Sequence, residues 1–233
     1  MNIAVIPARG GSKRIPRKNI RPFRGKPIIS YPITIALNSN IFDRVIVSTE
    51  DEEIASVSLQ FGAEVPQLRD EALADDFSTT LDVMQNVVDN LMSNAAPNTN
   101  VCCIYPTTPL LQEKYLKEGL LKIVNGNWDY VFSASQISSH FLRSFTLGSL
   151  YSAQMYLPEF EFTRSQDLPP SFQDAGQFYW GKMESWSKKM PIFSSRTSIV
   201  ELPTQFVVDI DKENDWDLAE ERFLRLQNFK IES

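Results

Sequence analysis

NIAVIPARGGSKRIPRKNI, residues 2–20, decides the architecture. Ile3 to Pro7 is a short apolar run of β-formers ended by proline, the pattern of a buried strand. A loop rich in glycine, proline and cations opens directly from it and runs over residues 8–26. Pro27 suits the first turn of a helix that reaches about Ser39.

The same alternation continues downstream. Asp43 to Ser48, DRVIVS, is a second buried strand. Thr49 can cap a helix over 50–61, with Asp51, Glu52 and Glu53 favourable in its first turn, and Gly62 stops it. Ala63 to Pro66 reads as a short strand, Thr79 to Ser93 as a helix, and residues 100–105 (NVCCIY) as another buried strand. After the PTTP loop come a helix over Gln112–Val124 and a strand over Tyr130–Ser135. Strand and helix in alternation predict an α/β fold, Rossmann-like, a mostly parallel sheet with helices on both faces. Ligands of such sheets bind beyond the carboxyl ends of the strands, so the loops at 8–26, 75–80, 106–109 and 209–211 are expected to share one edge.

From 137 to 165 the pattern breaks. Phe141, Phe145, Leu150, Tyr151, Met155, Tyr156, Phe160 and Phe162 recur without helical period around Gly148, which predicts a small β excursion. After Gln177 a strand (FYWG), a short helix near 182–188, short strands at Ile192, Val200 and Phe206, and a last helix over Lys212–Asn228 complete one domain over residues 1–233.

With 42% apolar and 22% charged residues the composition is that of a globular protein. No apolar run approaches the roughly 20 residues of a membrane helix. The apolar start lacks a basic segment before it and a small-residue cleavage site after it, so a cytoplasmic protein is expected. Cys102 and Cys103 sit in an apolar run and read as buried thiols; one histidine and this pair make no Cys/His metal site. The net charge is −6, yet eight cations precede the first acid, Asp43. A local positive field on an acidic chain points to a small anionic ligand, and away from nucleic acid.

The loop chemistry suits a polyphosphate. Gly10 and Gly11 let the backbone come close and turn N–H groups inward. Arg9, Lys13 and Lys18 can neutralise phosphates and the charge growing on a leaving pyrophosphate. Asn19 can orient a phosphate or ribose oxygen. The segment fits neither G-x-x-x-x-G-K-[ST] nor G-x-G-x-x-G. Far along the chain, FVVDID reads as a strand whose alternation puts Asp209 and Asp211 on one face. Two carboxylates facing phosphates suit Mg²⁺; capping of the next helix also explains Asp211, but not Asp209.

PARGGSKRIPRKNI resembles the signature loop of the CMP-sialic acid synthetase family. Related features are FDRVIVSTEDEEIA (42–55), GAEVPQLRDEALADD (62–76), YPTTPL (105–110) and DIDKENDWDLAE (209–220), so the resemblance covers nearly the whole chain. TRSQDLPPSFQDAGQFYWG (163–181) is similar to the subgroup acting on pseudaminic acid. The resemblance implies a fold of the nucleotide-diphospho-sugar transferase type and the transfer of CMP from CTP to an acidic nine-carbon sugar, with Mg²⁺ on Asp209 and Asp211. It implies nucleotide contacts from Ala8, Arg9, Gly10, Gly11, Ser12, Lys13, Lys18, Asn19, Arg69 and Thr80, with Arg9, Lys18, Asp209 and Asp211 carrying catalysis. Sugar candidates are Tyr105, Thr107, Arg143, Arg164, Gln166, Asp174, Gln177 and Tyr179. Tyr105 departs from the glutamine common in sialic acid enzymes. The excursion, with His140 and Arg143, is expected to reach a partner subunit's site in a homodimer.

Other readings stay open at this level. They are the same reaction on legionaminic acid, N-acetylneuraminic acid or Kdo; a non-catalytic polyanion-binding module; and a degenerate partner subunit.

Overall fold

The computed structural model of the chain describes residues 1–74, 78–91 and 98–231. Strands β1 (Asn2–Pro7), β4 (Arg44–Ser48), β5 (Asn100–Ile104), β6 (Tyr130–Ile137), β9 (Ser171–Lys182) and β10 (Thr197–Glu201) form one sheet in the order β10-β6-β9-β5-β1-β4. Two minor hairpins flank it, β2 (Pro22–Phe23) with β3 (Lys26–Pro27) and β7 (Phe145–Leu147) with β8 (Ala153–Met155). The β1, β4 and β5 pairings are parallel, as is β10 with β6. β9 runs antiparallel to both of its neighbours, β5 and β6.

Period-two alternation builds the core. On β1, Ala4 and Ile6 face a layer made by α1 (Ser30–Asn38), α2 (Glu52–Gln60) and α4 (Glu113–Asn125). Ile3 and Val5 face the opposite layer, where Met84 and Val88 of α3 (Thr80–Leu91) and Trp186 of α5 (Met183–Ser187) pack. Cys102 and Cys103 split between the layers, fully buried and free, and burial raises both thiols above their ordinary range. Trp180 and Trp186 are wholly buried, and each donates its indole N–H, to Leu116 O and to Val101 O at 3.1 Å. A large apolar side chain buried in this way stabilises the fold by roughly 1.5–3 kcal/mol, and the paired N–H removes the desolvation penalty. The last helix, α6 (Glu213–Ile231), closes a third cluster in which Trp216 and Ala219 pack on Ile15 and Phe23 of the first loop and on Ile28 just after it.

Several local expectations are corrected. Pro27 pairs in the β2–β3 hairpin, and α1 begins at Ser30. Asp51, not Thr49, caps α2: its Oδ1 accepts Ile54 N–H at 2.9 Å, while Thr49 Oγ1 takes the N–H of Asp51. Gly62 ends that helix with φ +89°, a conformation that suits glycine. The 63–66 segment contributes one isolated bridge, Ile46 to Glu64. No strand forms at Ile192, and Phe206 ends a 3₁₀ turn (Thr204–Phe206), so FVVDID lies beyond the sheet. The expected helix end at Ser93 and loop start at 75–77 lie outside the described residues. No helix among the described residues is long and apolar enough to cross a membrane.

Candidate active site

The first loop folds over the carboxyl end of the sheet because its own residues are pinned from three sides. A 3₁₀ turn (Lys18–Ile20) follows Arg17, whose φ of 52° reverses the chain. Asn19, buried, donates Nδ2–H to Arg9 O at 2.9 Å and so closes the loop on itself. Arg17 forks onto the carboxylate of Asp51 and reaches Glu53 at 2.5 Å. Its hydrogen bond to Asp51 raises the guanidinium above its ordinary value, and the same bond lowers the Asp51 carboxyl below its own.

Five of the eight cations ahead of Asp43 divide by task. Arg17 pairs with α2, Arg21 with Glu213 at 2.7 Å, and Arg24 with Glu220 at 3.8 Å. These three hold the loop down. Arg9 and Lys18 instead line a cleft of about 230 Å³ with Ser12 and Asn19. Arg69 and Leu73 contribute to the same cleft from beyond the third strand-like segment. Thr80 and Val83 contribute from the start of α3, and Tyr105, Pro106 and Thr107 from the end of β5. Loops far apart in sequence share this edge because parallel strands all end there.

Lys18 joins the cleft to the acidic pair. Its Nζ donates to Ile210 O at 2.6 Å and lies 3.6 Å from Asp211 Oδ1, while Arg14 Nη1 meets Asp211 Oδ2 at 2.7 Å. Burial lowers the Lys18 ammonium from its ordinary value, against the opposing charges of Asp211 and Asp209. The Asp209 carboxyl is raised, by desolvation first and by the charge of Asp211 second. Helix capping does not engage Asp211: its own N–H and that of Lys212 go to the Asp215 carboxylate at 3.0 and 2.8 Å.

Gly10 explains its own identity. A Cβ there would stand 2.4 Å from Asp51 Oδ2 and 3.2 Å from Arg17 Nη1. Its N–H, expected to turn inward toward a ligand, is donated to Glu50 Oε1 at 2.7 Å. At Gly11 a Cβ would meet nothing within 4 Å. Ala8 is buried in the core, its N–H bonded to Ser48 O at 2.9 Å, and does not line the cleft.

The expected sugar residues separate. Tyr105 and Thr107 line the cleft. The Tyr105 hydroxyl bonds Thr80 Oγ1 at 2.9 Å, and burial raises it above the ordinary phenol value. Tyr179 stands behind Tyr105, ring centroids 5.5 Å apart, and donates its hydroxyl to Asp174. Gln177 is buried, with its amide donated to Phe206 O. Arg143, Arg164 and Gln166 are exposed and are not among the cleft walls; Arg164 sits 3.5 Å from Asp167. His140 is exposed and bonds Ser138 Oγ at 2.9 Å. Of the ADDFSTT stretch, Asp75, Asp76 and Phe77 lie outside the described residues.

Sequence reasoning missed Glu50. It lies at the carboxyl end of β4, where parallel-sheet ligands bind, and that position was the available signal.

Over residues 3–231 the chain matches the family model described as Cytidylyltransferase. It is 42% identical, over 94% of both chains, to a pseudaminic acid cytidylyltransferase of Campylobacter jejuni. It is 35% identical to N-acylneuraminate cytidylyltransferase A of Danio rerio, over 97% of this chain and 51% of that protein. Among solved structures, a CMP:2-keto-3-deoxy-manno-octonic acid synthetase complexed with CTP superposes with a TM-score of 0.69 at 18% identity, covering 97% of this chain and 99% of the other. That likeness shows the fold, and the sequence matches show the lineage: the chain belongs to the cytidylyltransferase family.

Proposed function

We propose that this nucleotidyltransferase moves CMP from CTP to the anomeric hydroxyl of pseudaminic acid, releasing pyrophosphate. The observation that carries the proposal is the end-to-end match, 42% identity over 94% of both chains, to the Campylobacter jejuni enzyme of that name. The cleft offers what the reaction needs. Arg9 and Lys18 bring positive charge to the phosphates and to the pyrophosphate as it leaves. Asn19 keeps the Arg9 backbone in place. Arg69 and Thr80 are suited to the nucleoside, and Tyr105 and Thr107 to the sugar. The sugar hydroxyl is the nucleophile, and no protein nucleophile is required.

Asp209 and Asp211 would hold Mg²⁺. Their chemistry fits: they are two hard oxygen donors two residues apart, with Asp211 3.6 Å from Lys18, and desolvation first and the charge of Asp211 second raise the Asp209 carboxyl. An ion of this kind takes one or two carboxylates and its remaining ligands from phosphates and water. When bound, the ion supplies Lewis-acid withdrawal of charge from the phosphates.

The excursion supports a homodimer. Leu150 is 98% exposed and Phe162 91%, with Phe145, Leu147, Tyr151 and Tyr156 also exposed. An apolar patch of this kind marks an interface.

The deciding experiment incubates the chain with CTP, Mg²⁺ and a panel of nonulosonic acids and follows pyrophosphate. Pseudaminic acid should show the highest kcat/KM, and Tyr105→Gln should narrow its lead over N-acetylneuraminic acid. A preference for legionaminic or N-acetylneuraminic acid refutes the sugar assignment. No pyrophosphate with any sugar refutes the transfer itself.

A further inference from the structure

Glu50 follows the buried pair Ser48 and Thr49, and its side chain is only 14% exposed. Its two oxygens serve different parts of the cleft. Oε1 accepts the N–H of Gly10 in the loop after β1, and Oε2 accepts Nη2–H of Arg69, each at 2.7 Å. The Arg69 side chain is 3% exposed, and its remaining bonded donor reaches Ser48 O at 3.3 Å. Its Nε is buried without a hydrogen-bond partner. Among the described carboxylates, Glu50 alone pairs with this guanidinium. Burial disfavours the charged form of Arg69, and the nearby charge of Arg9 does so further.

A carboxylate beside a polyanion site works against the ligand by simple repulsion. Its presence is explained if it organises more than it repels. We propose that Glu50 is a positioning residue, whose single carboxylate sets the Gly10 end of the phosphate-facing loop and the guanidinium of Arg69 in one fixed relation. It touches no substrate in this role; it acts through Gly10 and Arg69. The inference rests on the proposed CTP reading and adds to it that the phosphate side and the nucleoside side of the cleft are organised together.

The geometry demands both oxygens and the charge. In Glu50→Gln one partner would face the amide nitrogen, donor against donor. In Glu50→Asp both oxygens remain, but the side chain is one methylene too short to hold Gly10 and Arg69 at once.

The test uses the full chain, with CTP binding by calorimetry and kcat/KM for CTP and UTP. In Glu50→Gln, CTP binding should weaken roughly 10- to 100-fold, as the loss of a directed hydrogen bond to a charged group does. The preference for CTP over UTP should narrow by about tenfold, an effect of losing one directed contact. The KM for the sugar should stay near wild type. Glu50→Asp should fall between, and serves if the glutamine variant does not fold. Adding Arg69→Gln to Glu50→Gln should cost little more than either alone. Wild-type CTP affinity and base preference in a folded Glu50 variant, or additive losses in the double variant, overturn the inference. A wild-type chain that neither binds CTP nor releases pyrophosphate refutes the proposed function instead.

Discussion

Two adjacent glycines in the first loop should respond in opposite ways to the same methyl group. In Gly10→Ala the new Cβ would stand 2.4 Å from Asp51 Oδ2, 3.1 Å from its Cγ and 3.2 Å from Arg17 Nη1. Asp51 cannot yield cheaply, because its other oxygen caps α2 at Ile54 and the carboxylate also holds Arg17. Overpacking of this kind costs about 1–3 kcal/mol, and a weakened cap costs about another 1 kcal/mol. The Arg17 pair is partly exposed, so little is added for it. The expected loss is therefore about 2–4 kcal/mol, which for a chain of this size lowers Tm by roughly 5–15 °C. CTP affinity should fall with it, since the Gly10 N–H would leave Glu50. In Gly11→Ala the methyl group meets nothing within 4 Å, and removing a glycine from the unfolded chain stabilises by about 0.4–1 kcal/mol where the backbone allows. Thermal and urea denaturation of both variants, with CTP titrations, make the measurement. Equal stability for the two, or a greater loss at Gly11, would refute the placement of the loop against Asp51.

Lys18→Ala should lower kcat/KM by at least about 100-fold, as loss of a transition-state cation does, whereas Arg24→Ala, which frees only Glu220, should stay within a few-fold; steady-state kinetics with pyrophosphate detection separates them, and equal effects would contradict the division of the loop cations. Asp209→Asn should cut turnover about 100-fold or more while urea stability holds, since the amide keeps the shape of the carboxylate and removes a partly desolvated charge that stands near Asp211; unchanged Mg²⁺ dependence of rate would remove it as a metal ligand. Replacing Leu150 and Phe162 together by glutamate should convert a dimer to a monomer in light scattering, given their 98% and 91% exposure; a wild-type chain that is monomeric at all concentrations would refute the interface. For Asp51, the folded carboxyl lies below its ordinary value, so its stabilisation is present above the unfolded pKa and lost as pH falls through the folded one. The stability gap between wild type and Asp51→Asn should be constant above about pH 5 and shrink below about pH 4; urea melts across that range that show a constant gap would contradict the Arg17 pairing.

Much of this protein was legible without coordinates. The apolar runs at 3–7, 44–48, 100–104 and 130–135 announced strands, and the spacing of helices between them announced a parallel sheet, because alternation and run length are properties of neighbouring residues. The loop PARGGSKRIPRKNI announced a cation-lined cleft for the same reason: its cations and glycines are contiguous. What eluded the sequence is everything fixed by pairing at a distance. The orientation of β9, inserted antiparallel between β5 and β6, depends on register with strands whose nearest partner, Ile137 to Ser171, is 34 residues away. FVVDID has strand periodicity yet lies outside the sheet, since strand propensity is set by the packing a segment finds and not by its pattern alone. The sorting of cations is the plainest case. Arg17, Lys18 and Arg21 are near neighbours of like charge, but Arg17 meets Asp51, 34 residues on, while Lys18 meets Ile210 and Arg21 meets Glu213, each 192 residues on. Composition says that charges are present; only the folded chain decides which are neutralised within the protein and which remain turned toward the cleft, because Coulomb energy depends on distance in space and on burial, neither of which is written in sequence order.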